Sequence, residues 1–380
     1  MHKPVSGPPN CTPPLSHPSA SVVNEMIIDS DVFREKRLPR DLVHRESEVA
    51  QVSRALQPAL RGDRPEDLLI SGPSGVGKTT LARILLDNPR APTNLDSAIL
   101  RVLGETTGSV LREAIGAHPS DISVHRGVAT DQLAGILRDA VDDPYVLVLD
   151  EADDLPESDT LDQLMGVPGV AVIAIAHDAD EWLARIDQHY RSQFDGEHHI
   201  QLSRYAPSEL ADILEPRADQ GLDPAGWSRP VLEEVADEVA GRARDAIQTL
   251  KWAARLAGER DHDAITSADI VDGHDEAQRE IRAAALKSLP YHHHVLYELV
   301  RRDEPIESHE LHKRYEAIAS EAYDNHMGTP IGARSRTLKL DKLREYGLVE
   351  WTDHVNNSRT YRVVDDRIES SFDIPAPLRN

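Results

Sequence analysis

Apolar residues in the first half of the chain follow two alternating patterns. Short unbroken apolar runs, typical of buried parallel strands, predict strands at 68–70, 98–103, 146–149 and 170–176. Apolar residues at every third or fourth position predict helices near 46–60, 78–86, 109–115, 131–140 and 161–165. Strands alternating with helices predict an α/β domain over residues 25–202, built on a parallel sheet with helices on both faces.

The remainder of the chain is mainly helical by pattern. A small helical lid is predicted over residues 203–275, with helices at 208–218, 230–240, 243–256 and 267–270. A third unit, 276–366, is predicted to contain helices at 281–289, 294–301, 307–323 and 332–346. Two β-rich runs around an Asn356–Asn357 turn then predict a hairpin, and helices followed by a hairpin predict a winged helix. The Pro-rich residues 1–24 are predicted to be a disordered tail, and residues 367–380 a C-terminal tail.

The segment LLISGPSGVGKTT, at positions 68–80, has the Gly-x4-Gly-Lys-Thr spacing of a phosphate-binding loop. Lys78 is expected to reach the β and γ phosphates, and Thr79 to ligate Mg2+. The predicted nucleotide-binding residues are Gly72, Pro73, Ser74, Gly75, Val76, Gly77, Lys78, Thr79 and Thr80. A plain glycine turn is the alternative, but the motif stands between a predicted strand and a predicted helix, as a phosphate-binding loop requires.

Two acids end the predicted strand in YVLVLDEAD. In a fold with a phosphate-binding loop, Asp150 would hold the magnesium shell and Glu151 would polarise an attacking water. The alternative is an exposed strand end that happens to be acidic. Together with the loop, the two acids predict an ATPase whose cofactors are ATP/ADP and Mg2+.

Charge and composition limit the classes of protein to consider. The net charge is -24, from 66 acids against 42 bases, of which eight are lysines. Such a surface would stay hydrated in a salt-rich cytoplasm. At molar salt the Debye length is about 3 Å, so the negative total does not exclude nucleic acid. The single cysteine, Cys11, excludes an intrachain disulfide, and the chain has no apolar run of membrane-spanning length, so we expect a cytoplasmic protein without a membrane partner.

Basic residues concentrate near the predicted hairpin, against the average of the chain. This density predicts contact with double-stranded DNA by Arg334, Arg336, Lys339, Lys342 and Arg359. The alternative is a solvated helix face in a winged helix that binds protein.

With these three units in place, positions 38–364 resemble the archaeal replication-initiator family related to the origin-recognition-complex and cell-division-control AAA+ ATPases. The resemblance is carried by LPRDLVHRESEV, GPSGVGKT, LDEAD, IDQHYRSQF, LSRYAPSELADIL and GRARDAIQTLKWAARLA. It implies an ATP-dependent initiator that binds origin DNA, with the replicative helicase and other initiator subunits as further partners.

The resemblance also implies roles for individual residues. Leu42, Val43 and Arg45 would lie near the adenine, and Tyr205 would join the nucleotide-binding residues. Arg244 would be the lid arginine that senses the γ phosphate.

Several positions depart from the pattern of the family. His177 stands where the family usually has the Asn that orients the attacking water, and Arg191 is a candidate arginine finger two residues beyond the expected position. Arg242 replaces an acid of the lid motif, and the segment 104–130, where relatives insert a DNA-contacting helix, is short. These departures predict a divergent member that hydrolyses ATP slowly.

Two other functions remain open at this point. One is a regulatory ATPase switch whose winged helix binds protein rather than origin DNA. The other is a ring-forming remodelling motor or helicase loader, for which turnover matters more than binding.

Overall fold

The structure of the chain, a computed structural model, describes residues 26–34, 37–39, 42–86, 95–120, 122–125, 127–155, 158–324, 326, 328–353 and 358–375. The predicted tail 1–24 and the Asn356–Asn357 turn lie outside these ranges.

The N-terminal domain is built on five parallel strands in the order β2-β3-β4-β1-β5. The strands are β1 Leu68–Ser71, β2 Asp96–Arg101, β3 Tyr145–Asp150, β4 Val170–Ala176 and β5 His199–Gln201. The helices are α1 Glu46–Leu56, α2 Lys78–Leu86, α3 Thr107–Gly116, α4 Thr130–Ala140, α5 Ser158–Met165, α6 Ala179–Arg185 and α7 Gln188–Phe194. The predicted parallel sheet is confirmed. The sequence analysis did not predict β5, α6 or α7, which are short and have no clear apolar pattern.

The sheet is buried on both faces, which explains its unbroken apolar strands. Side chains alternate along a strand, so Leu69 packs into the core on one face while Leu68 and Ile70 pack into the core on the other. In β4, Val172 and Ile173 divide between the same two cores. A strand with helices on both sides therefore needs apolar residues at every position.

A four-helix lid follows the sheet. Its helices are α8 Pro207–Gly221, α9 Arg229–Glu238, α10 Ala243–Glu259 and α11 Ser267–Ser288. Residues near the start of the described chain pack on this lid and not on the sheet: Val32 and Phe33 are buried in the lid core, and Gln248 donates a hydrogen bond to the Phe33 carbonyl at 2.9 Å. The described chain thus begins on the lid, although it is continuous with the α/β domain in sequence.

The helix α11 differs from the prediction of two short helices at 267–270 and 281–289. It is one helix of 22 residues, and it passes through position 275 without a break. Asp269 supports its first turn. This carboxylate is fully buried: Oδ1 accepts a hydrogen bond from Arg260 at 2.7 Å, while Oδ2 accepts one from the Thr266 hydroxyl at 2.7 Å and lies 2.8 Å from His262 Nδ1.

The C-terminal domain, residues 289–375, has its own apolar core. Its elements are α12 Tyr291–Asp303, β6 Ile306–Glu307, α13 Ser308–Tyr323, α14 Ala333–Glu345, β7 Val349–Asp353 and β8 Arg359–Val363. The strands form an antiparallel sheet in the order β6-β8-β7, in which Trp351 pairs with Tyr361. The predicted hairpin is thus present, in the element order expected of a winged helix. Among the helices that the structure describes, none combines the length and the apolar character needed to span a membrane.

Candidate active site

The candidate site lies where three neighbouring strands end. The phosphate-binding loop follows β1, Asp150 ends β3, and His177 follows β4. Because β3, β4 and β1 are adjacent and parallel, their carboxyl ends meet at one edge of the sheet, the usual location of ligand sites in such folds.

Glycines shape the loop between β1 and α2. Gly72, Gly75 and Gly77 all have positive φ angles, of 140°, 80° and 99°. A methyl group added at Gly72 would lie 2.2 Å from the carbonyl oxygen of Leu202, so this position admits only glycine. The loop leads directly into α2, which begins at Lys78, so backbone N–H groups at the start of the helix can face an anion.

Within the loop, the side chains divide between core and surface. Val76 is fully buried in the core that contains Leu68 and Ile70, so only its backbone is available to a ligand. Ser74 is exposed, and Pro73 and Thr80 are half-buried.

Lys78 lies inside the loop that carries it. Its ammonium donates hydrogen bonds to the carbonyl oxygens of Gly72 at 2.5 Å and Pro73 at 3.0 Å. Burial lowers the pKa of Lys78, and the nearby carboxylates, led by Asp153 and Asp150, offset this only in part. Phosphate oxygens would stabilise the charged ammonium, since they bring negative charge to a desolvated cation.

Thr79 and Asp150 bring a hydroxyl and a carboxylate together beside the loop. The Thr79 hydroxyl lies 3.2 Å and 3.1 Å from the two carboxylate oxygens of Asp150. Burial, and the neighbouring charge of Glu151, raise the pKa of Asp150. A buried carboxylate and a hydroxyl beside a phosphate-binding loop fit the oxygen ligands that Mg2+ prefers.

Both carboxylate oxygens of Glu151 contact the C-terminal domain. The Tyr346 hydroxyl donates a hydrogen bond to Oε1 at 2.5 Å, and the Lys342 ammonium lies 3.3 Å from Oε2. Arg101, at the end of β2, lies 3.7 Å from Oε1. Burial favours a raised pKa for Glu151, but Lys342 and Tyr346 outweigh it, and the pKa of the carboxyl is lowered. No pattern in the sequence indicated these contacts.

The lid and the segment before α1 meet the loop from the other side. The backbone N–H of Arg244 donates to the Gly75 carbonyl at 3.3 Å, which places this arginine beside the loop. A methyl group added at Gly77 would lie 3.9 Å from the Tyr205 hydroxyl. Arg45 is buried against the Tyr205 ring, at 4.1 Å from its centre.

The other expected adenine neighbours differ in burial. Leu42 packs against the sheet-face core that contains Leu68 and Ile70, whereas Val43 is 39% exposed.

His177 and Arg191 are both at the surface. The His177 backbone N–H donates to Asp153 at 2.6 Å, and its side chain is exposed at the end of β4. Arg191 is exposed on α7 and donates one hydrogen bond to the Ala184 carbonyl at 3.3 Å.

The five basic residues predicted to contact DNA have different surroundings. Arg334 is exposed and Lys339 is half-buried, and Arg359 forms ion pairs with Asp341 at 3.0 Å and Asp353 at 3.3 Å. Arg336 and Lys342 depart from the expectation of exposed charges, because they are only 4% and 6% exposed.

Packing explains the burial of both side chains. Arg336 pairs with Glu316 at 3.0 Å and lies over the Tyr315 ring, while Lys342 faces Glu151 and Asp154. Neither presents its charge to DNA in this arrangement.

Comparisons with known proteins agree with this geometry. Residues 41–173 match the family described as AAA ATPase domain, and residues 211–275 match the Cdc6 AAA+ ATPase-type lid domain. The chain is 31% identical over 293 residues to ORC1-type DNA replication protein 1 of Halobacterium salinarum, covering 76% of this chain and 95% of that protein. It is 28% identical over 352 residues to ORC1-type DNA replication protein 9 of the same organism, covering 92% and 97%.

Among solved structures, the chain resembles the Aeropyrum pernix ORC1 protein in complex with DNA. The TM-score is 0.69 at 23% identity, covering 90% of this chain and 94% of that one. CDC6P from Pyrobaculum aerophilum gives a TM-score of 0.59 at 22% identity, covering 91% and 95%. At 23% and 22% identity, these two structures support the fold of this chain and nothing further.

Proposed function

The chain belongs to the ORC1-type DNA replication proteins, AAA+ proteins of the replication-initiator class, and we propose that it is an ATP-dependent initiator that binds origin DNA through its C-terminal domain. The observation that carries the ATP-dependent part is the convergence of Lys78, Thr79, Asp150 and Glu151 at one edge of the sheet.

Each of these residues has a distinct part in binding and splitting ATP. Lys78 would exchange its two loop carbonyl partners for phosphate oxygens, and Arg244, held beside Gly75, would add a second cation from the lid. Thr79 and Asp150 would hold Mg2+, which supplies positive charge to the phosphate oxygens. Glu151 would orient the attacking water and accept its proton.

Glu151→Gln tests this assignment directly. We expect ATP to bind and hydrolysis to fall by a factor of about 10²–10⁴, the usual contribution of a general base. Binding is measured by calorimetry and hydrolysis by phosphate release, both in molar potassium chloride. A variant that hydrolyses ATP at the wild-type rate would remove Glu151 from the mechanism.

DNA binding is proposed for the part of α14 and of the hairpin that faces solvent. Arg334 and Arg344 are exposed on α14 and Arg362 is exposed on β8, so these cations face solvent although Arg336 and Lys342 are buried. A helix of this kind can enter the major groove while the hairpin contacts the phosphate backbone.

The DNA-binding part is tested by retention of sheared genomic DNA on the purified protein, with ATP and molar potassium chloride, followed by sequencing. We expect a few repeated elements to be recovered, and expect Arg334→Ala and Arg344→Ala to lose them. Lys313→Ala is the matched control, because Lys313 is an exposed cation on the neighbouring helix α13, with a side chain 76% exposed. Uniform recovery, or equal loss in the control, would contradict the proposal.

The alternative proposal is a regulatory ATPase switch whose C-terminal domain binds protein. The ion pairs of Arg359 with Asp341 and Asp353 favour it, because they neutralise a cation on the hairpin. Failure to retain any preferred DNA, with ATP binding intact, would support this alternative. The replicative helicase and other initiator subunits are then the first partners to test.

Arg191 is proposed as an arginine finger that reaches a neighbouring subunit, since it is exposed on α7. We expect the ATPase rate per molecule to rise with protein concentration, and expect Arg191→Ala to abolish that rise. A rate per molecule that is independent of concentration in the wild type would contradict the proposal.

A further inference from the structure

The C-terminal domain packs against the edge of the sheet that carries the candidate site. Arg101, the last residue of β2, donates hydrogen bonds to the backbone carbonyl of Ser288 at 3.0 Å and to its hydroxyl at 3.2 Å; Ser288 is the last residue of α11, directly before the C-terminal domain begins. Leu103 is buried in the core of the C-terminal domain. Gly104 lies against Pro290, and a methyl group added at Gly104 would lie 2.3 Å from the Pro290 ring. These contacts seat the C-terminal domain closely on the loop after β2.

Lys342 is the central cation of this interface. Its ammonium lies 2.7 Å from Asp154, 3.3 Å from Glu151 and 3.0 Å from Glu345, and the residue is only 6% exposed. Two of these carboxylates belong to the ATPase domain and one belongs to α14 itself. Undocking would separate this buried cation from the half-buried carboxylates of Glu151 and Asp154, and separating the partners of a largely buried ion pair is costly.

Tyr346 completes the contact at the end of α14. Its hydroxyl donates to Glu151 at 2.5 Å and lies 3.4 Å from the Arg101 guanidinium. Glu151 therefore has one oxygen bonded to a hydroxyl and the other facing an ammonium. A general base must be within hydrogen-bond reach of the water whose proton it takes. With both oxygens engaged, a water at Glu151 has to compete with a hydroxyl and an ammonium for the carboxylate.

We propose that the docked C-terminal domain restrains ATP hydrolysis, because Lys342 on α14 and Tyr346, directly after this helix, contact the carboxylate that activates water. This inference rests on the proposed role of Glu151 as the general base. Hydrolysis then requires α14 to move away from Glu151, so whatever draws the C-terminal domain off the ATPase domain sets the rate. The helix α14 also carries the exposed Arg334 and Arg344. A ligand that binds these two arginines would therefore act on Glu151 by moving α14 as one body.

The first test removes the two contacts one at a time. Tyr346→Phe deletes only a hydroxyl. Lys342→Gln removes the positive charge and keeps an unbranched polar side chain. Loss of one charge-assisted hydrogen bond shifts the equilibrium between the docked and the released C-terminal domain by about tenfold. We therefore expect each variant to hydrolyse ATP about three to tenfold faster than the wild type. ATP affinity is measured in parallel by calorimetry, so that a change in turnover is separated from a change in binding.

Matched controls come from the same domain. Tyr297→Phe deletes a hydroxyl that bonds the Ile368 carbonyl at 3.0 Å, within the core of the C-terminal domain. Lys313→Gln deletes an exposed cation on α13. Both controls are expected to keep the wild-type rate. Rates for Tyr346→Phe and Lys342→Gln that equal the wild type, or that fall below it, would overturn the proposal.

A second test holds the domain in place and does not depend on the stability of those variants. The position of an added Cβ at Gly104 lies 3.3 Å from the Cβ of Pro290, near the Cβ separation of about 3.5–4.5 Å found in disulfides. We would introduce Gly104→Cys and Pro290→Cys together with Cys11→Ser, so that the pair is the only thiol pair in the chain.

The oxidised and reduced forms of this one protein are then compared. Since both forms carry the same substitutions, any strain from a cysteine at the positive φ angle of position 104 is common to both. We expect hydrolysis to fall at least about fivefold on oxidation and to recover on reduction. Equal rates in the two forms, or a faster oxidised form, would overturn the proposal.

Glu151→Gln separates this inference from the proposed function. If Glu151→Gln hydrolyses ATP normally, the role of Glu151 itself fails. If Glu151→Gln is inactive but neither the α14 variants nor the disulfide changes the rate, the role of Glu151 stands and the restraint by the C-terminal domain fails.

Discussion

Arg45→Ala is the substitution whose effect the structure defines most closely. The Arg45 guanidinium donates hydrogen bonds to the Tyr205 hydroxyl at 3.0 Å, to Glu48 at 3.1 Å and to the Ser203 carbonyl at 2.5 Å. It also stacks on the Tyr205 ring, and the residue is only 5% exposed. Arg45 therefore joins the segment before α1 to the start of the lid, next to the phosphate-binding loop.

The loss of stability follows from what the truncation leaves behind. Glu48, with a side chain 16% exposed, would lose its cation, and the Tyr205 hydroxyl and the Ser203 carbonyl would lose their donor. Removing one partner of a buried ion pair typically costs about 3–5 kcal/mol. At about 2–4 °C per kcal/mol for a domain of this size, we expect the melting temperature to fall by about 6–20 °C.

The assay is thermal unfolding in molar potassium chloride, followed by circular dichroism. Arg45→Lys is the matched variant; it keeps the charge but lacks the planar fork, so we expect an intermediate loss. A double-mutant cycle with Tyr205→Phe isolates the hydrogen bond between the two side chains, for which we expect a coupling of about 1.5–3 kcal/mol. A coupling below about 0.5 kcal/mol, or a melting temperature within about 2 °C of the wild type, would refute this account.

Three further predictions concern the loop, the lid and the acid limit of stability. Thr79→Ala should keep most ATP affinity but lose Mg2+-dependent hydrolysis, and titrating EDTA into the wild type should reproduce that loss; a fully active variant would remove Thr79 as a ligand. Gly221→Ala should cost about 1–3 kcal/mol by urea unfolding, because the new methyl group would lie 2.4 Å from the Val32 side chain. Gly135→Ala, with nothing within 4 Å, should be neutral or stabilising, and equal effects of the two would contradict the packing. Burial would raise the pKa of Asp269, but its hydrogen bonds, first from the Thr266 hydroxyl, outweigh it and lower the pKa below 3.8. The stabilisation that Asp269 provides is therefore complete above about pH 4 and is lost as the pH falls through the folded pKa. The melting temperatures of the wild type and Asp269→Asn should converge below about pH 4, and a difference that stays constant with pH would contradict this assignment.

Residue spacing along the chain was enough to predict the composition of the candidate nucleotide site. The glycines of the loop, Lys78 and Thr79 are adjacent in sequence, and Asp150 ends a strand that a parallel sheet must bring to the same edge. Local patterns therefore predicted both parts of the candidate site, and the structure places Thr79 and Asp150 next to each other. The positive φ angles of the loop glycines agree with that reasoning, since only such a backbone turns the loop tightly enough to precede α2.

The charges on α14 show the opposite case. By sequence, Arg334, Arg336 and Lys342 are equivalent basic residues on one helix. In the structure Arg334 is exposed, whereas Arg336 faces α13 and Lys342 faces Glu151. A helix of this composition has only a weak apolar stripe, so which charges face inward depends on the domains that pack against it.

Local residue patterns were sufficient for the parallel sheet, the loop, the acidic strand end and the C-terminal hairpin, because each depends on residues that are close in the chain or on the regular geometry of strands. Long-range packing, by contrast, makes α11 one helix, places the start of the described chain on the lid, and brings the Tyr346 hydroxyl to Glu151 across 195 positions. Contacts of that kind arise from how whole domains dock. No local periodicity encodes them, since the free energy that selects them comes from surfaces that exist only after each domain has folded.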